Sequence, residues 1–99
     1  MPHKALSLLG IARRAGKLSL HEGSNLAAIR SGRAKLLLLA KDAGASTAKK
    51  YLDKCATYQV PVYREADRME LGVALGTAGR SAVAVLDEGF AKKLLELLT

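Results

Sequence analysis

The sequence predicts an α/β fold, a three-layer α/β/α sandwich, and three observations lead there. Strand candidates centred near residues 19, 37, 62 and 84 are each separated by one helical pattern, the order of repeated β and α units. The run Leu36-Leu37-Leu38-Leu39-Ala40 is continuous rather than alternating and lies between Lys35 and Lys41, which marks a central strand covered on both faces. Finally, 49% of the 99 residues are hydrophobic and only two are proline, so the chain can bury a core and is no disordered tail. A sheet covered on both faces needs helices on both sides, hence three layers. The length supports one compact domain over residues 1–99.

The first helix covers residues 4–15, because Ala5, Leu8, Leu9, Ala12 and Ala15 recur on one face and Gly16 stands past its end. A short extended piece, Leu18 to Leu20, follows. The second helix runs from about Ser24 to Ser31 with Leu26 and Ile29 inward and Gly32 as its stop. After the leucine run, Ser46 is a candidate N-cap for a third helix to about Tyr58, whose apolar face is Ala48, Tyr51, Leu52, Cys55 and Gln59. A brief strand spans Val60 to Arg64. Asp67 and Glu70 have the spacing of a capping box, opening a fourth helix through Leu71, Ala74 and Leu75 to Gly76. Ala82 to Leu86 is the next buried strand, and Asp87 caps a last helix with the stripe Phe90, Leu94, Leu97, Leu98.

Charge narrows the function. Sixteen Lys and Arg against nine Asp and Glu leave +7, which points to a polyanionic partner. Residues 1–50 carry ten basic and two acidic groups, so all the excess lies in the N-terminal half. That charge is expected to gather around the ends of the first two helices and the turn at His21, with the acidic half on the far side. No apolar run approaches the roughly 18 residues of a membrane span or has the form of a signal peptide, so the expected setting is cytoplasmic, with no membrane partner.

The sequence offers little for catalysis. His3 and His21 are the two histidines, neither stands at metal-ligand spacing from a carboxylate or from Cys55, and no nucleophile-elbow or P-loop pattern occurs. Neither a metal nor a cofactor is expected, and the protein reads as a non-enzyme. Cys55, the single cysteine, falls on an apolar helix face and reads as a small buried hydrophobe rather than a reactive thiol. Gly72, Gly76 and Gly79 precede a strand instead of joining a strand to a helix, so they read as helix stop and turn rather than a phosphate loop.

Arg13, Arg14 and Lys17 close the first helix, Arg30, Arg33 and Lys35 close the second, and Lys41 follows the central strand. Cations there complement helix dipoles, but that purpose alone does not require so large an excess, and phosphate neutralisation is the favoured reading. Helix-turn-helix, zinc and RNP-like aromatic patterns are absent, and aromatic residues are 4% of the chain, leaving recognition of RNA by shape. The segment His21-Glu22-Gly23-Ser24-Asn25 enters the second helix and reads either as a capping turn or as a receptor for a bent backbone at a helix N-terminus.

The order Leu9-Gly10-Ile11-Ala12-Arg13-Arg14-Ala15-Gly16-Lys17, the block from Ala28 through Arg30-Ser31-Gly32-Arg33-Ala34-Lys35 to Ala40-Lys41-Asp42, then Val60-Pro61-Val62, Glu70-Leu71-Gly72 and Ser81 to Val85 resembles the ribosomal L7Ae/L30e superfamily. It is most similar to the bacterial ribosome-associated branch, over roughly residues 4–93. The resemblance implies a mixed four-stranded sheet inside the sandwich and binding to kink-turn or related internal-loop RNA, with other ribosomal components as further partners. In that family a Gly, Asn or Lys, Glu or Gln, and Lys before and within the second helix contact the kink. Here an ungapped register puts His21, Gly23, Ser24 and Ala27 at those positions, and none matches. The second family contact maps to Thr77 through Ser81, where Arg80 can reach phosphate. The resulting expectation is a small RNA-binding protein reading backbone shape with Arg13, Arg14, Lys17, Arg30, Lys41, Thr77 and Arg80 around the 21–25 turn. The competing reading is a protein-interaction module on the same fold.

Overall fold

The computed structural model describes residues 1–99, in the order α1 (His3–Arg14), β1 (Leu18–Ser19), α2 (Glu22–Arg30), β2 (Leu36–Leu39), α3 (Ala45–Tyr58), β3 (Val62–Tyr63), α4 (Arg68–Leu75), β4 (Ala82–Val85) and α5 (Glu88–Leu98). The four strands form one mixed sheet in the order β1-β4-β2-β3, with β4 antiparallel to β1 and β2, and β2 parallel to β3. β1, β2 and β3 therefore run the same way.

Alternation along β2 builds both cores at once, because successive side chains of a strand point to opposite faces. Leu36, Leu38 and Ala40 meet Val83 and Val85 beneath α1, α4 and α5, where Leu9, Leu71, Leu75 and Leu94 fill the space. Leu37 and Leu39 meet Ala82 and Ala84 beneath α2 and α3, where Ile29, Tyr51 and Cys55 close the second core. Large leucines on β2 face small residues on β4, so the layers interdigitate. Each leucine buried this way stabilises by roughly 1.5–3 kcal/mol relative to exposure. The three layers and the sequence's strand and helix order are therefore as expected, and none of the helices is long and apolar enough to cross a membrane.

Several boundaries differ from the sequence reading. α2 begins at Glu22 with His21 as N-cap in extended conformation, so Gly23, Ser24 and Asn25 form its first turn and not an open loop. Asn25 donates its backbone N–H to the His21 carbonyl at 2.8 Å. Its side chain is buried and donates to Tyr51 Oη at 3.2 Å and to the Ala82 carbonyl at 3.4 Å, which locks the start of α2 against α3 and the sheet. α3 starts at Ala45 after Gly44, one residue before Ser46. Leu52 is exposed and Gln59 is the left-handed C-cap of α3 (φ 57°), so neither joins the apolar face, which is Ala48, Tyr51 and Cys55. Ala15 is likewise exposed as the C-cap of α1, and β3 is only the two residues that reach Leu37 and Leu38.

The expected capping box is present at α4: the Asp67 carboxylate accepts the Glu70 N–H at 2.8 Å, and the Glu70 carboxylate accepts the Asp67 N–H at 3.3 Å. The loop after α4 folds back onto the helix at Gly72. A Cβ built there would lie 2.6 Å from the Ala78 carbonyl oxygen, a backbone atom that cannot swing aside, so only glycine admits the loop.

Three outcomes test these contacts. Leu38→Ala should lower unfolding free energy in urea by about 2–5 kcal/mol, whereas Leu52→Ala should change it by no more than about 0.5. Gly72→Ala should destabilise by roughly 1–3 kcal/mol and shift the amide resonances of Thr77 to Arg80; unmoved resonances would refute the close approach. Burial pushes the Cys55 thiol from its ordinary 9.0 up to about 11, so the folded chain keeps a proton that the unfolded chain releases. Its contribution to stability is complete below about pH 9 and should fall as pH rises towards 11. Modification of Cys55 near neutral pH should proceed only as fast as the protein opens.

Candidate nucleic-acid interface

Because β1, β2 and β3 are parallel, their carboxyl ends share one end of the sheet, and the helices that follow them, α2, α3 and α4, all begin there. A helix start presents unpaired backbone N–H groups and the positive end of its dipole, and the carboxyl ends of parallel strands are where such folds bind ligands. The segment from Gly76 to Ser81 arrives at the same place. Ala40 N–H donates to the Ser81 carbonyl at 2.8 Å, Lys41 N–H to the Ala66 carbonyl at 2.9 Å, and Arg80 N–H to the Arg68 carbonyl at 3.2 Å. The Asp42 carboxylate accepts the Arg68 N–H at 2.9 Å, fastening the start of α4.

Between the starts of α2 and α3 and this segment lies a cleft of about 250 Å³. His21, Glu22, Thr47, Tyr51, Gly79 and Arg80 line it. Arg80 is half-buried, and its Nε donates to Thr77 Oγ1 at 3.4 Å, while Thr77 Oγ1 donates to the Ala78 carbonyl at 2.8 Å. The guanidinium is thus held at the cleft instead of ranging through solvent. Glu22 would repel an anion, but Lys50 Nζ donates to its carboxylate at 2.6 Å. The same hydrogen bond and charge hold the Lys50 ammonium above its usual lysine value. Burial pushes the Tyr51 phenol up, so it stays neutral and keeps an O–H to donate while its oxygen accepts from Asn25.

The structure separates residues that the sequence reading had grouped. Of the predicted residues His21 and Arg80 line the cleft, Thr77 is held to Arg80, Gly23 and Ser24 follow His21 in the first turn of α2, and Lys41 leaves β2 at the same end of the sheet without lining the cleft. Asn25 does not present itself to a ligand there, because its side chain is 1% exposed and its amide nitrogen is engaged by Tyr51 and Ala82. Lys17 and Arg30 stand at the opposite end of the sheet. The Lys17 carbonyl accepts the Leu86 N–H at 2.8 Å beyond the far end of β4, and the chain leaving α2 after Arg30 pairs Lys35 N–H with the Val85 carbonyl at 2.7 Å. There Lys35 Nζ donates to the Gly32 carbonyl at 2.9 Å and Arg33 Nε to Ser31 Oγ at 3.0 Å, so cations complete the C-terminus of α2.

Arg13 donates to the Leu75 carbonyl and ties α1 to the end of α4, while Arg14 lines a groove between those helices. The N-terminal charge excess is therefore dispersed over several places and does not gather at His21. Strand direction, invisible in a charge count, decides this. Conversely, Thr47 and Tyr51 line the cleft, and Lys50 pairs with Glu22 at its edge, none of which the sequence reading places there. The signal for Thr47 was its position one turn into the helix that follows the central strand.

The chain is similar to known proteins over nearly its whole length. Residues 3–95 match the ribosomal protein L7Ae/L30e/S12e/Gadd45 family. The chain is 48% identical over 91 residues to the RNA-binding protein YlxQ of Bacillus subtilis (strain 168), covering 92% of this chain and 91% of that protein. It is 40% identical over 95 residues to the RNA-binding protein YlxQ of Enterococcus faecium, covering 96% and 91%. It is 30% identical over 87 residues to the large ribosomal subunit protein eL8 of Thermoplasma volcanium, covering 87% and 72%. A solved structure of a protein of unknown function from Bacillus halodurans C superposes with a TM-score of 0.91 at 43% identity, over 98% of each chain. With the sheet order, the shared length and the identity in agreement, the chain belongs to the ribosomal protein L7Ae/L30e/S12e/Gadd45 family.

Proposed function

We propose that the protein is a cytoplasmic, ribosome-associated RNA-binding protein that receives a kink-turn or similar internal-loop RNA at the cleft beside Arg80. The observation that carries this reading is the convergence of two helix N-termini, those of α2 and α3, and the Arg80 guanidinium on one cleft. The names of its relatives in Bacillus subtilis and Enterococcus faecium, both called RNA-binding proteins, support the RNA-binding part of it. Residues 1–99 act as one binding unit, without catalysis or a cofactor, and other ribosomal components are natural neighbours of such an RNA.

The mechanism is recognition of backbone shape. A sharply bent RNA crowds phosphates together, and the first turn of α2 offers N–H groups to them beside Arg80 and Lys41. Gly23 leaves that turn open, since a Cβ there would have nothing within 4 Å. Gly23, Ser24 and Ala27 stand where larger polar side chains would read base edges. Losing a bidentate base contact costs about 1–3 kcal/mol of discrimination, whereas phosphate contacts sustain affinity across sequences. Ser24 and Thr77 supply short hydroxyls, and His21 lines the approach as the N-cap of α2.

The test is titration of a kink-turn RNA and a matched plain duplex at several salt concentrations. The kink-turn should bind more tightly, with affinity falling as salt rises. Arg80→Ala should weaken binding and reduce the logarithmic salt slope by about 1. Gly23→Glu should abolish binding without loss of stability, because a carboxylate suits the start of α2 but repels phosphate. Lys17→Ala and Arg30→Ala should leave affinity almost unchanged. Weak, equal binding to both RNAs with no salt slope would overturn the proposal, as would losses confined to the Lys17 and Arg30 variants.

A further inference from the structure

α1 and α5 enclose a groove of about 350 Å³ on the side of the sheet away from α2 and α3, separate from the cleft at Arg80. Its floor is aliphatic, from Leu8, Ile11 and Leu97, and its walls carry Lys4 and Lys93, with His3 and Ser7 beside them. Ile11 is 46% exposed, in mid-helix, on a face where neither core needs it. No carboxylate lines the groove, and α1 contains none at all. On α5, Glu96 lies 3.9 Å from Lys93 in an exposed i,i+3 pair, a loose contact that leaves the ammonium open to a partner.

Lys4 is not there to stabilise its own helix. It sits in the first turn of α1, where a cation opposes the helix dipole and no acidic residue offsets it. Its charge instead adds to the positive potential of the helix start and of Lys93. We propose that this groove docks an acidic amphipathic helix of a partner protein. Its apolar residues, at i, i+3 or i+4 and i+7, cover Ile11 and Leu97, and its flanking carboxylates meet Lys4 and Lys93.

The lining chemistry selects this occupant. A second copy placed face to face would set Lys4 and Lys93 against the same cations. RNA would satisfy the lysines and find His3 alone for stacking, but it would leave the aliphatic floor of Leu8, Ile11 and Leu97 uncovered. A bilayer would need a wider apolar face than the three aliphatic side chains this shallow groove exposes. The inference stands independently of the RNA reading, because none of these residues lines the cleft at Arg80.

The experiment is a titration of the full-length, isotope-labelled chain with a designed helical peptide of about 15 residues, leucines on one face and glutamates flanking them. A second peptide keeps the leucines and replaces the glutamates with lysines. The acidic peptide should bind more tightly and shift the amides of Ser7, Ile11, Lys93 and Leu97. Ile11→Asp should weaken it by about tenfold or more. A Lys4→Glu, Lys93→Glu double variant should reverse the preference towards the basic peptide, and decides the matter if Ile11→Asp does not fold. Kink-turn RNA affinity should be unchanged in both variants. Equal binding or no binding of the two peptides would overturn the proposal. So would peptide shifts at His21 and Arg80, or shifts of the groove amides by kink-turn RNA or acidic vesicles in place of the acidic peptide.

Discussion

Everything in this molecule hangs on one strand buried from both sides. β2 sends Leu36 and Leu38 into one core and Leu37 and Leu39 into the other, so neither helical layer can be packed without it. Its neighbours are arranged around that demand. β4 opposes it with alanine and valine, and β1 and β3 contribute two residues each, just enough to pair. A strand with no solvent face cannot carry function itself. Function is pushed to its ends, where backbone groups and helix termini reach water.

The two ends of the sheet differ in electrostatic character for a reason that lies in chain direction. At the carboxyl ends of β1, β2 and β3, helices begin, and their N–H groups face both the carboxylates that cap them, such as Asp42 and Asp67, and the cleft that Arg80 lines. At the opposite end α1, α2 and α3 terminate, and Lys17, Arg33 and Lys35 lie where helix carbonyls leave partial negative charge. The same residue types thus serve opposite purposes. Cations at the first end add to a field that attracts anions, while those at the second cancel a field their own helices create. Net charge alone does not separate these two uses.

Local backbone chemistry then places the few side chains that matter. The Gly72 contact brings the loop after α4 back along the helix, and the hydrogen bond from Arg80 N–H to the Arg68 carbonyl ends that return at the sheet. The buried Asn25 amide performs the matching task for α2, holding its first turn against Tyr51 and Ala82. Glu22 shows how an acid is tolerated beside such a site: Lys50 neutralises it from α3, so the pair contributes shape rather than charge.

The sequence by itself determined the layers, the leucine strand, the burial of Ala48, Tyr51 and Cys55 on α3 though not the full width of that face, and the caps at Asp67 and Asp87, because each rests on periodicity or on groups within three residues of one another. It placed helix starts less well where no side chain makes the cap, as at Gly44 and His21. It misjudged Asn25, since a polar residue one turn into a helix reads as exposed until the tyrosine of another helix is found beside it. Only the tertiary structure decided which cations act together. Lys17 and His21 are four residues apart in the chain but at opposite ends of the sheet, because the chain between them is extended. Arg80 is far from His21 in sequence and lines the same cleft, because β4 runs against β1 and returns its preceding loop to the place where α2 begins.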